Sequence, residues 1–397
     1  MTVNYHSIWN KVENLPWCTL VASGRTGSDA FQSQLDSHPD VFLIPGAIYL
    51  HSFWKGSDTA NIKGDLNPED IVDEFIGHHI HKLKTVYDVF ERRDVLGENM
   101  DQSIDLSVPV FRQHLVGLLS VKPLNTRYFS QAVYVAYALA ANQNINVKKL
   151  FFDHIHHIKK VPDIINDFPN CKIICMTRDP RAAYVSGVEN WRRHQTPAHN
   201  PSYPLYILKR IIDEPQPLGD YGKYFRMIRL EDLSDEGVMK EVCKWLGISF
   251  REEVMKSTWN GLRWWGDSLS NIKLEKSMTE QEFAKTIRSN QWEEKLNVID
   301  KFVLNYLLYD RLRQCSYPCK NKTGIVVFCI VVAAIFVPTK YELQDLSPGN
   351  LAKQLVKQNF RWLLSLPYHY MRRVQYYFRL LLRRVRGSYF VLPLIEK

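Results

Sequence analysis

Short unbroken apolar runs alternate along this chain with stretches of helical period. WCTLVAS (17–23) ends at Gly24, and a helix-like pattern starts near Ser28. An apolar run, a glycine turn and a helix together open an α/β nucleotide-binding unit. Asp36 to Pro39 closes that helix, and VFLIP (41–45) predicts a second strand. Residues 68–92 read as a polar amphipathic helix, and 107–120 and 129–141 as two more. The last of these is nearly all apolar and is expected to be buried. KKLFFDH (148–154), CKIICMTR (171–178) and FRMIRL (225–230) predict three further strands. Helices are expected at Pro162–Phe168, from about Pro180, at 235–246 up to Gly247, and as one amphipathic element over 291–312. Strands alternating with helices argue for an α/β fold with a parallel sheet covered on both faces.

After Pro318 the pattern changes. GIVVFCIVVAAIFV (324–337) is uninterrupted and apolar, and a basic, aromatic-rich segment follows. The expected organisation is a polar N-terminal segment (1–16), a catalytic domain (17–318) and an apolar segment with a basic tail (319–397). Met1 to Pro16 lacks an apolar stretch, so no signal peptide or N-terminal anchor is expected.

The net charge of +9 suggests an anionic partner until its distribution is seen. Ten of the 51 bases lie in 351–397, leaving 41 in the body. One of the 42 acids, Glu396, lies there, leaving 41. The body is neutral, which argues against a nucleic-acid-binding face on it. The tail combines bases with Trp362, Tyr376, Tyr377 and Phe378. That suits an anionic membrane surface, although a calmodulin-type target would look similar. The apolar run is short of the roughly 20 residues that span a bilayer, and a buried helix or strand is the alternative. The expectation is a cytoplasmic body held peripherally to a membrane by its C-terminus. The seven cysteines are odd in number and several sit in apolar runs, so reduced core residues are expected. Cys315 and Cys319 have no second ligand pair nearby, and no metal site is expected.

Candidate chemistry lies at two strand-to-helix junctions. In SGRTGSD (23–29), Gly24 and Gly27 allow close approach of an anion to backbone N–H groups at a helix N-terminus. The Walker A pattern is absent, and the basic residue, Arg25, precedes the second glycine. At the second junction Arg178 ends a strand, and Ser186 lies eight residues on, about two helical turns into the next helix. A guanidinium fork suits a phosphate dianion. The structural alternatives are an ordinary glycine turn and an Arg178–Asp179 ion pair.

These segments resemble those of sulfotransferases that use 3'-phosphoadenosine-5'-phosphosulfate (PAPS). Arg25-Thr26-Gly27-Ser28 is similar to the loop that binds the donor's 5'-phosphosulfate, and QLDSHPDVF resembles the carbohydrate-type branch. Arg178 and Ser186 match the Arg and Ser that hold the 3'-phosphate. RLEDL (229–233) and KWLGI (244–248) resemble family core segments expected to give no catalytic residue. RWWGD (263–267) resembles the late cofactor loop. The resemblance covers roughly 17–315 and is weak over 50–145, where acceptor specificity is expected. It implies a P-loop-like three-layer sandwich with a central parallel sheet. It also implies transfer from PAPS, releasing PAP, to an acceptor hydroxyl on a glycan or glycolipid, with no metal. The donor would be held by Gly24, Arg25, Thr26, Gly27, Ser28, Arg178, Ser186, Arg263 and Trp264. Trp264 or Trp265 would stack on adenine, the alternative being core packing. Arg25 would face the sulfuryl group.

Asp29 stands where the family has a hydroxyl residue, and it is expected to cap the helix. The acceptor needs a base. His154, after the LFFD strand, resembles the family's strand-end histidine, with His156 as runner-up. His78, His79 and His81 read as mostly a solvated face. The rival readings are a P-loop kinase and an inactive nucleotide-binding or scaffolding module.

Overall fold

The structure is a computed structural model that describes residues 3–22, 24–61, 66–84, 96–194, 200–213, 219–266, 292–320, 323–387 and 392–395. The chain opens with α1 (Tyr5–Val12), β1 (Trp17–Ala22), α2 (Ser28–Asp36), β2 (Val41–Leu43), α3 (Leu50–Gly56) and α4 (Pro68–Lys84). Next come α5 (Val108–Leu119), α6 (Thr126–Ala140), β3 (Leu150–Ile155), α7 (Val161–Asp167), β4 (Lys172–Thr177), α8 (Pro180–His194) and α9 (Tyr203–Asp213). Then follow β5 (Phe225–Arg229), α10 (Glu236–Leu246), and a small hairpin of β6 (Thr258–Trp259) and β7 (Leu262–Arg263). The C-terminal part holds α11 (Trp292–Lys295), α12 (Val298–Leu307), α13 (Tyr309–Gln314), α14 (Ile325–Ile335), α15 (Lys340–Asp345), α16 (Pro348–Val356) and α17 (Phe360–Arg386).

All five expected strands form one parallel sheet, in the order β2-β3-β1-β4-β5. β1 and β3 are buried along their whole length. That explains why they read as continuous apolar runs: parallel strands are covered on both faces. Side chains alternate between two cores. Trp17 and Val21 join the face covered by α5, α6, α8 and α9, while Cys18 and Leu20 join the face covered by α2 and α10. This is the expected three-layer α/β sandwich.

Three expectations change. The helix over 291–312 is broken into α11, α12 and α13; the first break falls at Asn297, whose side chain accepts from Asp300 N–H at 2.7 Å and starts α12. Cys329, expected in the core, is exposed on α14. The proposed boundary near 318 is no break in packing. Val331, Tyr341, Tyr377 and Leu380 share the core of the α8–α9 face, and Arg192 pairs with Asp345 at 3.0 Å. The C-terminus also lies along the edge of β5. Met227 N–H donates to Pro393 O at 2.8 Å, and Ile395 N–H donates to Met227 O at 2.8 Å. An exposed sheet edge is thereby covered. Residues 85–92 of the long polar helix lie outside the described residues.

Candidate functional site

β1 and β4 are neighbours in register from Cys18–Lys172 to Ala22–Met176. The chain leaves β1 towards one side of the sheet and β4 towards the other. Their carboxyl ends therefore flank the topological switch point, where open α/β sheets bind ligands.

The loop after β1 is built from left-handed residues: Gly24 at φ +83°, Arg25 at +58° and Gly27 at +85°. Glycine at 27 is required twice over, since a Cβ there would stand 2.3 Å from Leu230 Cδ1. Arg25 carries a side chain in a conformation that costs of order 1 kcal/mol, a strain usually stored at functional positions. Gly27, not Asp29, caps α2. Asp29 lies in the first turn, where its charge complements the helix dipole. Thr26 is buried, and its Oγ1 has no hydrogen-bond partner among the described residues. Ser28 opens α2 and is buried as well. A buried unpartnered hydroxyl beside a helix N-terminus fits a loop shaped for an anion.

The loop after β4 meets it. Arg25 Nε donates to Ser186 Oγ at 3.4 Å, joining the two junctions across 161 residues of sequence. Arg178 is half-buried at the end of β4. Burial pulls its pKa down, Glu231 supports the charge, and Arg25 opposes it. The Asp179 carboxylate is bound by Arg181 at 2.5 Å and 2.9 Å. Glu231 also holds this loop. It accepts from Asp179 N–H at 3.3 Å and from Tyr317 Oη at 3.1 Å, and burial raises its pKa. RLEDL thus does more than build core: Leu230 buttresses Gly27, and Glu231 places a carboxylate beside Arg178.

β3 brings His154 to the other side of β1, in register with Leu20. His154 is fully buried, and its Nδ1 lies 3.2 Å from Gln32 Oε1. The Gln32 amide donates through Nε2 to Ile44 O and Gly46 O, which leaves Oε1 as its acceptor end. His154 Nδ1 therefore carries the proton, and Nε2 keeps a lone pair. That Nε2 is buried with no hydrogen-bond partner among the described residues. Burial, then His156, hold the imidazole well below its ordinary pKa. The Asp29 carboxylate is 3.8 Å from Nδ1. The His156 ring is 4.7 Å from that of His154, and its pKa is lowered to about 4 by burial, then by Arg210, His157 and Lys82. The site's histidines are neutral in this setting.

Arg210, on α9, is a residue that motif reasoning missed. Its Cζ would lie 3.5 Å from a Cβ built on Gly24. It brings a further cation to the loop after β1 from an element with no motif of its own. The only sequence signal was a base on the α9 helix.

The remaining candidates fall elsewhere. Arg263 Nη1 donates to Ser257 O at 3.4 Å, and its guanidinium lies 4.3 Å over Trp265. Trp264 is buried, meets Trp259 edge-on at 5.6 Å and joins the α2–α10 core. Trp264 is therefore packed in the core in this structure. Asp267 lies outside the described residues. The first histidine cluster is not wholly solvated: His79 stacks on Phe75 at 4.9 Å, and its pKa is lowered to about 4, mainly by burial.

A family model described as "Sulfotransferase family" matches residues 18–252, more than half of the chain. The chain belongs to the sulfotransferase family. Among solved structures this sulfotransferase is similar to the sulfotransferase domain from the curacin biosynthetic pathway. The identity is 15% and the TM-score 0.36, over 82% of this chain and 99% of that one. It is also similar to sulfotransferase STF9 from Mycobacterium avium, at 15% identity and a TM-score of 0.30, over 63% and 68%. No curated protein matches. Both structural likenesses are weak, and the assignment rests on the family match.

Proposed function

We propose that this sulfotransferase uses PAPS as donor and a hydroxyl on a glycan or glycolipid as acceptor. The observation that carries the donor reading is the Arg25–Ser186 contact at 3.4 Å, which brings the two candidate junctions together. The loop 24–28, with Arg25 and Arg210, would hold the 5'-phosphosulfate. Arg178 and Ser186 would hold the 3'-phosphate. In the reaction the acceptor oxygen attacks sulfur, and its proton passes to a base. The bond from sulfur to the bridging phosphate oxygen breaks, and PAP leaves with the electron pair. His154 fits the base role because its neutral tautomer offers Nε2. Negative charge spreads over the sulfuryl oxygens as the bond breaks, and the neighbouring arginines and loop amides would offset it. A P-loop kinase would need a Walker lysine, and the loop has Arg25 in a different place.

The glycan or glycolipid acceptor rests on the carbohydrate-type sequence of loop and helix. Radiolabelled PAPS incubated with fractionated lipids, glycans and small phenols tests it. Label is expected in the glycan or glycolipid fraction, with Arg25→Ala losing turnover more than PAP affinity. Label only in the phenols would contradict the acceptor assignment.

A further inference from the structure

Among the described residues, most of the large apolar side chains that stand exposed belong to residues 325–385. On α17 they fall on one face. Phe360, Leu364, Tyr368, Met371, Leu382 and Val385 are exposed at helical spacing, with Leu364 80% and Val385 65% exposed. Arg361, Arg372, Arg379 and Arg386 are exposed on the same turns. The chain has no acid between Asp345 and Glu396. The helix therefore sorts its arginines. Arg373 turns inward to Glu342 at 3.0 Å and Arg383 to Asp213 at 2.6 Å, while the outward four alternate with apolar groups. Beside it, Phe336 at the end of α14 packs on Phe378, and α14 leaves Ile325, Val326 and Cys329 exposed.

We propose that the outward face of α17, with α14 beside it, seats the protein on an anionic lipid surface. Exposed apolar side chains alone would suit many partners, but apolar groups interleaved with unopposed arginines suit lipid chains below anionic headgroups. The protein lies on the surface and does not cross it. Ile325–Asp345 is long enough to span by length and composition, with a mean hydropathy of 2.0 over an 18-residue window. The helix is nonetheless broken after Ile335, and Thr339 starts α15 with a capping box. The eleven residues of α14 rise about 16 Å, half of a bilayer core. The inward face of α17 is tied to α9 through Arg383–Asp213 and through Lys209, 5.3 Å over the Tyr376 ring. Since α9 carries Arg210, a docked bilayer lies one helix diameter, about 10 Å, beyond a helix of the site. That arrangement suits an acceptor borne by lipid.

The docking claim does not depend on the donor, so it and the donor reading can fail separately. Flotation of the full-length chain tests it, with vesicles of phosphatidylcholine alone and with about a third phosphatidylserine. Flotation is expected on the anionic vesicles at low salt only. The triple variant Arg361→Gln/Arg372→Gln/Arg379→Gln should lose on the order of a hundredfold in affinity, about fivefold per arginine. Leu364→Ser/Met371→Ser should also bind less tightly. All of these positions are exposed, and unchanged melting temperatures would establish that the variants fold. Absence of flotation, or flotation indifferent to the arginines, would overturn the proposal. So would a concentration-dependent dimer abolished by Leu364→Ser, which would assign the face to a second copy.

Discussion

His154 condenses the residue-scale argument. Its proton position is set by Gln32, whose own amide is fixed by two backbone carbonyls. The result is a neutral ring with one unshared lone pair in a buried site. His154→Ala is expected to lower turnover roughly 10²–10⁴-fold with PAP affinity near wild type. Near-normal turnover there and in His156→Ala would place the base elsewhere. His156 supports a second test, of stability. Its folded pKa of about 4 lies below the ordinary histidine value of about 6.5, so between these pH values the unfolded chain binds the extra proton. Its contribution is present above pH 6.5 and lost as pH falls towards 4. His156→Gln should therefore gain on wild type over that window, by at most about 3 kcal/mol at 1.36 kcal/mol per unit. Parallel denaturation curves at pH 7 and pH 4.5 would measure this, and a constant difference would refute it. Arg25 and His154 could be named from the sequence because each follows a recognisable strand, and Ser186 because its spacing from Arg178 matches the family resemblance. Arg210 and Glu231 could not, since their roles arise only when α9 and the end of β5 fold against the loop.

At the scale of elements, the junctions matter more than the strands and helices they connect. The five strands were legible because burial on both faces keeps most of their positions apolar. The break at Asn297 was missed because the apolar period continues across it, although the asparagine is itself a capping signal. In the tail, inward and outward stripes of α17 both carry apolar residues, so periodicity could not separate core from surface. The loop after β1 offers a direct test. Gly27→Ala forces a Cβ into a left-handed position and against Leu230. The cost is expected at about 2–5 kcal/mol, combining backbone strain and overpacking. Leu230→Ala in the same chain should return part of it, as a double-mutant cycle would show. A Gly27→Ala protein as stable as wild type would mean that the loop does not need this geometry.

On the scale of the whole molecule, neutral body and basic tail divide the work. The sheet gathers the loops after β1, β3 and β4 with their basic and histidine residues, whereas the net positive charge of the chain sits in its last 47 residues, part of it on an outward helix face. The tail is nonetheless continuous with the fold: its residues share the core, and its end runs along β5. A neutral body with a concentrated anion site predicts selectivity for one ligand over indiscriminate binding of polyanions. Calorimetry with PAP, ATP and GTP on the wild-type chain and on Arg178→Ala tests this most directly. The account predicts that PAP binds more tightly than either triphosphate, and that Arg178→Ala weakens PAP by roughly 1.5–3 kcal/mol, the scale of hydrogen bonds to a charged group. Unchanged PAP affinity in folded Arg178→Ala, or a preference for ATP, would contradict it.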